Sequence, residues 1–333
     1  MKKEVLTTIK HCLKAQQFDL ATLYRICELT DKVKEIGATK EGLNWMATLL
    51  NDKRALLFFT QPSTRTFLSF KNACDILGIK STEIRDIATS SFAKDETLID
   101  SAKTFAQYVD LIIMRLHPAH ESLIEEAPKK LNDRIRIINA GSGSDQHPTQ
   151  ALLDFYTIYK YGFAGKNIGF VGDLQRGRTV RSLALLLTKL DNLKLYFIAP
   201  PAYQIKDDIL KQLTVSYELV YDFDQIIPEL NVVYMTRLQK EYGGNDVPYN
   251  QIDYSIHEGN LNKFKKDAII MHPLPRGSEI APSVDDDCRA KYWEQVHNGL
   301  WVRVALIALM YGMDYDIIAK SSERMVKTLG TIN

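Results

Sequence analysis

The sequence predicts an α/β protein of two doubly wound domains, each a mainly parallel sheet flanked by helices. From Arg54 onward, apolar runs of four to six residues alternate with longer segments of helical period, as in parallel sheets covered on both faces. Six of the runs end abruptly in charged loops bearing Gly or Pro. At 333 residues the chain is long for one core and of ordinary length for two.

Residues 1–50 read as helices, broken at Gln17-Phe18-Asp19 and Ile36-Gly37-Ala38-Thr39. Leu56-Leu57-Phe58-Phe59 then runs into Gln61-Pro62-Ser63-Thr64-Arg65-Thr66. Phe67, Phe70, Cys74 and Leu77 recur at helical spacing, and Gly78 stands where a glycine closes a helix. Leu111-Ile112-Ile113-Met114 ends in Arg115-Leu116-His117-Pro118. Ile135-Arg136-Ile137-Ile138 ends in the Gly141 to Gln150 loop. Pro148 suits the first turn of a helix whose apolar face is Ala151 to Tyr159. Phe163-Ala164-Gly165-Lys166-Asn167 resets the chain into a second set of strands. Of these, Ile168 to Val171 ends in Gly172-Asp173-Leu174-Gln175-Arg176-Gly177-Arg178-Thr179, Val232 to Met235 in Thr236-Arg237-Leu238-Gln239, and Ala268 to Met271 in His272-Pro273-Leu274-Pro275-Arg276. The expected domains are 1–150 and 151–299. Helices from about 300 to 333, including an apolar one over Asn298 to Tyr311, are expected to pack back on the first.

Composition narrows the function classes. Hydrophobic residues make up 45% and charged residues 25%, and 42 basic against 41 acidic side chains leave a net charge of +1. A nucleic-acid or membrane surface, which needs a basic excess, is not expected. Cys12, Cys27, Cys74 and Cys288 form no C-x-x-C pair, so a reducing cytoplasm is the expected location, with no disulfide framework or zinc site. The N-terminus lacks the apolar core of a signal peptide.

Ligands of open parallel sheets bind beyond the carboxyl ends of the strands. Arg65, Arg115, Arg178 and Arg237 all stand at such ends, which suits a small, multiply anionic ligand. Ser63, Thr64, Arg65 and Thr66 open a helix, where unpaired N–H groups and the dipole favour an anion and arginine can grip phosphate with two donors. The plain alternative is Ser63 as an N-cap beside a solvated Arg65. His147 could hold a carbonyl oxygen as charge develops on it, with Arg115 converging on the same ligand, or it could be a helix cap. Gln150 offers a donor and an acceptor. Arg178 and Arg237 read as two carboxylate clamps, or as ordinary ion pairs at a domain edge. His11, His117, His120, His257 and His297 read as surface or packing residues, and Asp285-Asp286-Asp287 as a solvated turn rather than a cation site. Gly169, Gly172 and Gly177 miss the G-x-G-x-x-G spacing, and neither G-x-S-x-G nor a P-loop occurs. No cofactor and no metal is therefore expected.

Ser63-Thr64-Arg65-Thr66, His147-Pro148-Thr149-Gln150 and His272-Pro273-Leu274-Pro275-Arg276, in this order and spacing, resemble the signatures of the aspartate/ornithine carbamoyltransferases. The resemblance runs from about Arg54 to Leu309. It implies that the first signature cradles the phosphate of carbamoyl phosphate, that Arg115 and His147 polarise its carbonyl together with Thr66, and that the Leu274 carbonyl meets the carbamoyl amine. The first domain would then bind carbamoyl phosphate and the second the acceptor. Ornithine enzymes carry His-Cys-Leu-Pro and a Ser-Met-Gly loop; here Pro273 replaces the cysteine and no Ser-Met-Gly occurs. Gly172 to Thr179 and Met235 to Glu241 look instead like the aspartate enzymes, whose matching arginines, here Arg178 and Arg237, hold the two carboxylates.

The expected reaction is therefore carbamoyl transfer to L-aspartate, giving N-carbamoyl-L-aspartate and phosphate, a step of de novo pyrimidine synthesis. Alternatives are another anionic amino-acid acceptor, a catalytically silent assembly subunit, and a Rossmann dehydrogenase that the glycine spacing disfavours. Thr89 to Thr97 resembles a loop that reaches a neighbouring subunit's site, with Ser90 and Lys94 as its ligand-binding residues, and implies a homotrimer with shared sites. Gln239 joins the expected substrate-binding set. No motif assigns a regulatory chain or a dihydroorotase partner. Gln61, Phe67 and Tyr242 stand where the family usually has charged residues, Ala93 where a second lysine is common, and Arg115-Leu116-His117-Pro118 has an extra residue. With the charges at Gln61 and Tyr242 both gone, a different closing contact between the domains is expected.

Overall fold

The computed structural model describes residues 9–85, 97–143, 146–237 and 253–330, with side chains to residue 323. The chain forms two compact units, one of Met1–Gly143, His147–Thr149 and Gly299–Asn333, the other of Ser144–Gln146 and Gln150–Asn298. Each contains one parallel sheet with helical crossovers, the α/β architecture that the alternation predicts.

In unit 1, α1 (Leu20–Gly37) and α2 (Lys40–Met46) precede β1 (Arg54–Phe59), α3 (Thr64–Ile76), β2 (Lys80–Ile84), α4 (Leu98–Phe105), β3 (Leu111–Arg115), α5 (Leu123–Lys130) and β4 (Arg136–Asn139). The sheet order is β2-β1-β3-β4, with Ala55 opposite Leu111 and Ile112 opposite Ile137. β3 is buried throughout and β1 beyond its first residue, so both read as apolar runs. The edge strand β2 is polar and mostly exposed. The outer edge of β4 is covered: the Cys12 N–H donates to the Ile137 carbonyl at 2.9 Å, and the Cys12 carbonyl accepts from Asn139 N at 2.7 Å. Such pairing removes an open edge that would otherwise invite another strand.

Helix boundaries follow local chemistry. The Asp19 carboxylate caps α1 through Thr22 N, and Thr39 caps α2 through Gly42 N. α3 buries Phe67, Phe70 and Cys74 and stops before Gly78, whose φ is +77°. A Cβ on Gly78 would lie 2.0 Å from the Ala47 carbonyl oxygen, so only glycine fits this tight exit.

Unit 2 contains β5 (Asn167–Val171), α7 (Arg178–Leu187), β6 (Lys194–Ile198), the one-turn helix α8 (Asp207–Leu210), β7 (Ser216–Val220), α9 (Phe223–Ile226), β8 (Val232–Met235), α10 (Glu258–Leu261) and β9 (Ile269–Met271). It is entered through α6 (Pro148–Tyr159). The sheet order is β7-β6-β5-β8-β9, all parallel. One face packs Val171, Ile198, Phe223, Leu230, Val233 and Ile270 into a continuous core. The Asp285 to Asp287 run lies at the surface, with Asp285 and Asp286 exposed, and it begins inside a short 3-10 helix, Pro282–Asp286. Asp285 accepts from the two terminal nitrogens of Arg276, Nη1 and Nη2, and from the Tyr292 hydroxyl, and Asp287 pairs with Arg289 at 2.6 Å. These partners lie within nine residues along the chain, and a charge run alone does not reveal the pairing.

The chain leaves unit 2 along α11 (Tyr292–Met310) and ends in α12 (Asp314–Gly330). From Gly299 these helices belong to unit 1, and side-chain chemistry fixes them there. Arg136 Nε donates to the Met310 carbonyl at 2.7 Å, Arg25 pairs with Asp314 at 2.8 Å, and buried Arg303 donates to Ser69 Oγ at 2.9 Å. Gly37 lets α1 approach Trp301 so closely that a Cβ would sit 2.2 Å from the indole.

Candidate active site

Strand order turns around between β1 and β3 in unit 1 and between β5 and β8 in unit 2. Such switch points open a crevice at the carboxyl ends of the strands, and the candidate residues of each unit cluster there.

In unit 1 the loop after β1 is tied to the end of β3, because Thr60 N and Gln61 N both donate to the Arg115 carbonyl, at 2.9 and 3.2 Å. The loop then enters α3 at Ser63. Ser63 holds the N-cap position, yet its hydroxyl makes no capping bond. The first-turn N–H groups are therefore left for another acceptor, which favours the anion reading over the plain cap. Thr64 and Arg65 are exposed on this first turn, while Thr66 is buried.

Arg115 closes β3 and is buried, with Nη1 donating to the Ala140 carbonyl at 3.2 Å. His147 is buried at the start of α6. The two converge over Gly141, the residue sequence reasoning missed. A Cβ on Gly141 would stand 2.7 Å from His147 Nε2 and 2.9 Å from Arg115 Nη1. Gly141 also has a φ of +97°, which side-chain-bearing residues rarely adopt. The Asn139 carboxamide oxygen fixes the turn by accepting from Gly141 N at 2.9 Å and Ser142 N at 2.8 Å. A glycine directly beyond a strand was the available signal.

Phe67 explains one departure from the family pattern. Its ring meets Phe59 edge-on at 5.5 Å, and the Arg85 guanidinium lies 4.6 Å from its centroid. An aromatic ring therefore takes the position of a cation, with a cation supplied from the end of β2.

In unit 2, Arg178 opens α7 beyond β5, and Arg237 follows β8, both half-buried. Their loops are packed together: Thr236 N and Oγ1 each donate to the Val171 carbonyl at 2.8 Å. Gly172, at φ +114°, lies where a Cβ would meet the Thr236 carbonyl oxygen at 2.4 Å, so the approach of these loops requires glycine. Gln150 Nε2 donates to Asp154 Oδ1 at 2.9 Å.

Past β9, Leu274 adopts a left-handed φ of +54°, costly for a branched side chain. Its N–H donates to His272 Nδ1 at 2.8 Å, while His272 Nε2 meets Glu279 Oε1 at 2.8 Å. The accepted bond leaves Nδ1 without a proton and makes Nε2 the donor to Glu279. Burial pushes the Glu279 carboxyl up, but the His272 bond and the Gly277 amide outweigh it and hold it below its ordinary range. His272, which sequence reasoning did not single out, is thus the bracket of the Pro273-Leu274 turn. Ser90, Lys94, Gln239, Ala93 and Tyr242 lie outside the described residues.

Each of the two parallel sheets thus carries its candidate arginines at a switch point. The chain belongs to the aspartate/ornithine carbamoyltransferase family: residues 10–160 match its carbamoyl-phosphate-binding domain and residues 164–310 its aspartate/ornithine-binding domain. It is 41% identical to a chloroplastic aspartate carbamoyltransferase of Oryza sativa over 90% of this chain and 84% of that protein. It is 38% identical to an aspartate carbamoyltransferase catalytic subunit of Vibrio cholerae over 90% and 96%. The catalytic subunit of M. jannaschii aspartate transcarbamoylase superposes with a TM-score of 0.82 at 36% identity, covering 91% of this chain and 99% of that one. The Trypanosoma cruzi enzyme in complex with carbamoyl phosphate and aspartate gives a TM-score of 0.82 at 33% identity, covering 90% and 95%.

Proposed function

We propose that this chain is the catalytic chain of an aspartate carbamoyltransferase. The α-amino nitrogen of L-aspartate attacks the carbonyl carbon of carbamoyl phosphate, the carbon–oxygen bond to phosphate breaks, and N-carbamoyl-L-aspartate and phosphate leave. The convergence of Arg115 and His147 over Gly141 carries this reading. Two donors placed this near each other can stabilise an oxyanion without covalent catalysis, and Thr66 completes the proposed set. Ser63, Thr64 and Arg65 hold the phosphate at the uncapped start of α3. The departing phosphate takes the amine proton, since none of these side chains is an obvious base. In unit 2, Arg178 and Arg237 receive the two carboxylates of aspartate, aided by Gln239, while Gln150 and the Pro273-Leu274 turn hold the carbamoyl amine.

The test is an assay of carbamoyl phosphate with aspartate and, in parallel, with ornithine. Carbamoylated product is expected from aspartate only. Product from ornithine, or from a different anionic amino acid in preference to aspartate, would overturn the assignment of the acceptor.

The same reading extends to a homotrimer in which Ser90 and Lys94 of one chain complete a neighbour's site, supported by their match to the family's intersubunit loop. Inactive Lys94→Ala and inactive Arg65→Ala chains, mixed, dissociated and reassociated, are expected to regain part of the activity. Mixed trimers can pair an intact Arg65 with an intact Lys94 across an interface. Mixed trimers verified by mass but inactive would show that each site is built within one chain.

A further inference from the structure

We propose that Asp154 is a positioning residue that holds the substrate-facing turns of unit 2 in register; the proposal rests on the function given above. Asp154 lies on α6 and is completely buried. Its Oδ1 accepts from Gln150 Nε2 at 2.9 Å and from Gln295 Nε2 at 2.6 Å, and its Oδ2 accepts the Tyr234 hydroxyl at 2.7 Å. Three neutral donors from three elements thus meet on one carboxylate.

Each donor leads to a turn assigned to substrate. Gln150 is itself such a residue. Tyr234 lies on β8, two positions before Thr236, and its hydroxyl also hydrogen-bonds Thr179, the neighbour of Arg178. Gln295 uses its other end to accept from His272 N at 2.9 Å, where the Leu274 turn begins. That bond fixes which way the Gln295 amide faces, so its NH2 group must point at Asp154. Gln150, the Arg178 loop, the Arg237 loop and the Leu274 turn are therefore linked through one buried carboxylate, within unit 2. Buried polar networks of this kind are rigid only while every member keeps its partners.

Asparagine in place of Asp154 retains one acceptor for the two glutamine amides and turns an NH2 toward Tyr234, whose hydroxyl must then reverse. Alanine removes every acceptor. A misplacement of about 1 Å in positioning groups can cost about 10²-fold in rate. Asp154→Ala is thus expected to lower kcat/KM for aspartate by about 10²-fold, and Asp154→Asn to recover part of that loss. Inorganic phosphate, bound by unit 1 alone, serves as the control for a merely destabilised fold. Its affinity, measured by calorimetry, is expected to stay within twofold of wild type in both variants.

A folded Asp154→Ala chain that loses less than tenfold, or whose phosphate affinity falls in equal proportion, would overturn the proposal. Should the alanine variant not fold, Asp154→Asn decides: a loss of threefold or more at unchanged phosphate affinity supports the role, and a smaller loss overturns it. A wild-type chain inactive with aspartate would overturn the functional reading itself, whereas an active wild type beside unaffected variants would overturn only the role of Asp154.

Discussion

Arg65→Ala is expected to weaken carbamoyl phosphate binding by roughly 2–4 kcal/mol, the scale for removing one partner of a desolvated charge pair, while leaving the fold intact. Arg65 sits on the exposed first turn of α3, beside an N-cap serine whose hydroxyl makes no capping bond. Its side chain is therefore dispensable for packing and available to a dianion. The neighbouring N–H groups and Thr66 remain in the variant, so weak residual binding is expected rather than none. Calorimetry with carbamoyl phosphate checks this directly, and an unchanged dissociation constant would take Arg65 out of the site.

His147→Ala is expected to lower kcat by about 10²–10³-fold, the usual effect of deleting one oxyanion donor, with a much smaller change in binding. The reason is differential: a hydrogen bond to the carbonyl oxygen strengthens as charge builds there. Arg115 stays in place, since its Nη1 is held by the Ala140 carbonyl, so the variant keeps one of the two converging donors. Steady-state kinetics distinguish the cases. If KM for carbamoyl phosphate rose while kcat held, His147 would be a binding residue and nothing more.

Much of this was legible in the sequence because the informative loops are local. Apolar runs bounded by charged turns located β1, β3, β4, β5, β8 and β9 within two residues at each start. The edge strands β2 and β7 escaped because their exposed, polar residues carry no burial pattern. β6 is buried but leads into Ala199-Pro200-Pro201 rather than a charged loop. What sequence spacing cannot carry is convergence. Gly141 matters because His147 and Arg115 lie against it, and Asp285, though exposed, is paired because Arg276 folds back to it. Phe67 looked like a lost charge until strand pairing brought Arg85 onto its ring. The same holds for His272, whose role follows from a left-handed turn two residues on.

The tie between Arg115 and the loop after β1 has a consequence for the thermodynamics of each encounter with ligand. The backbone of Arg115 grips Thr60 and Gln61 while its side chain is held by Ala140, so the guanidinium and the start of the loop toward Ser63 are tied to the same strand end. A loose loop would surrender conformational entropy every time an anion arrived, at a cost of about 1–2 kcal/mol for each residue ordered. Here that freedom is surrendered once, when unit 1 folds, and the affinity of every later binding event is correspondingly undiminished.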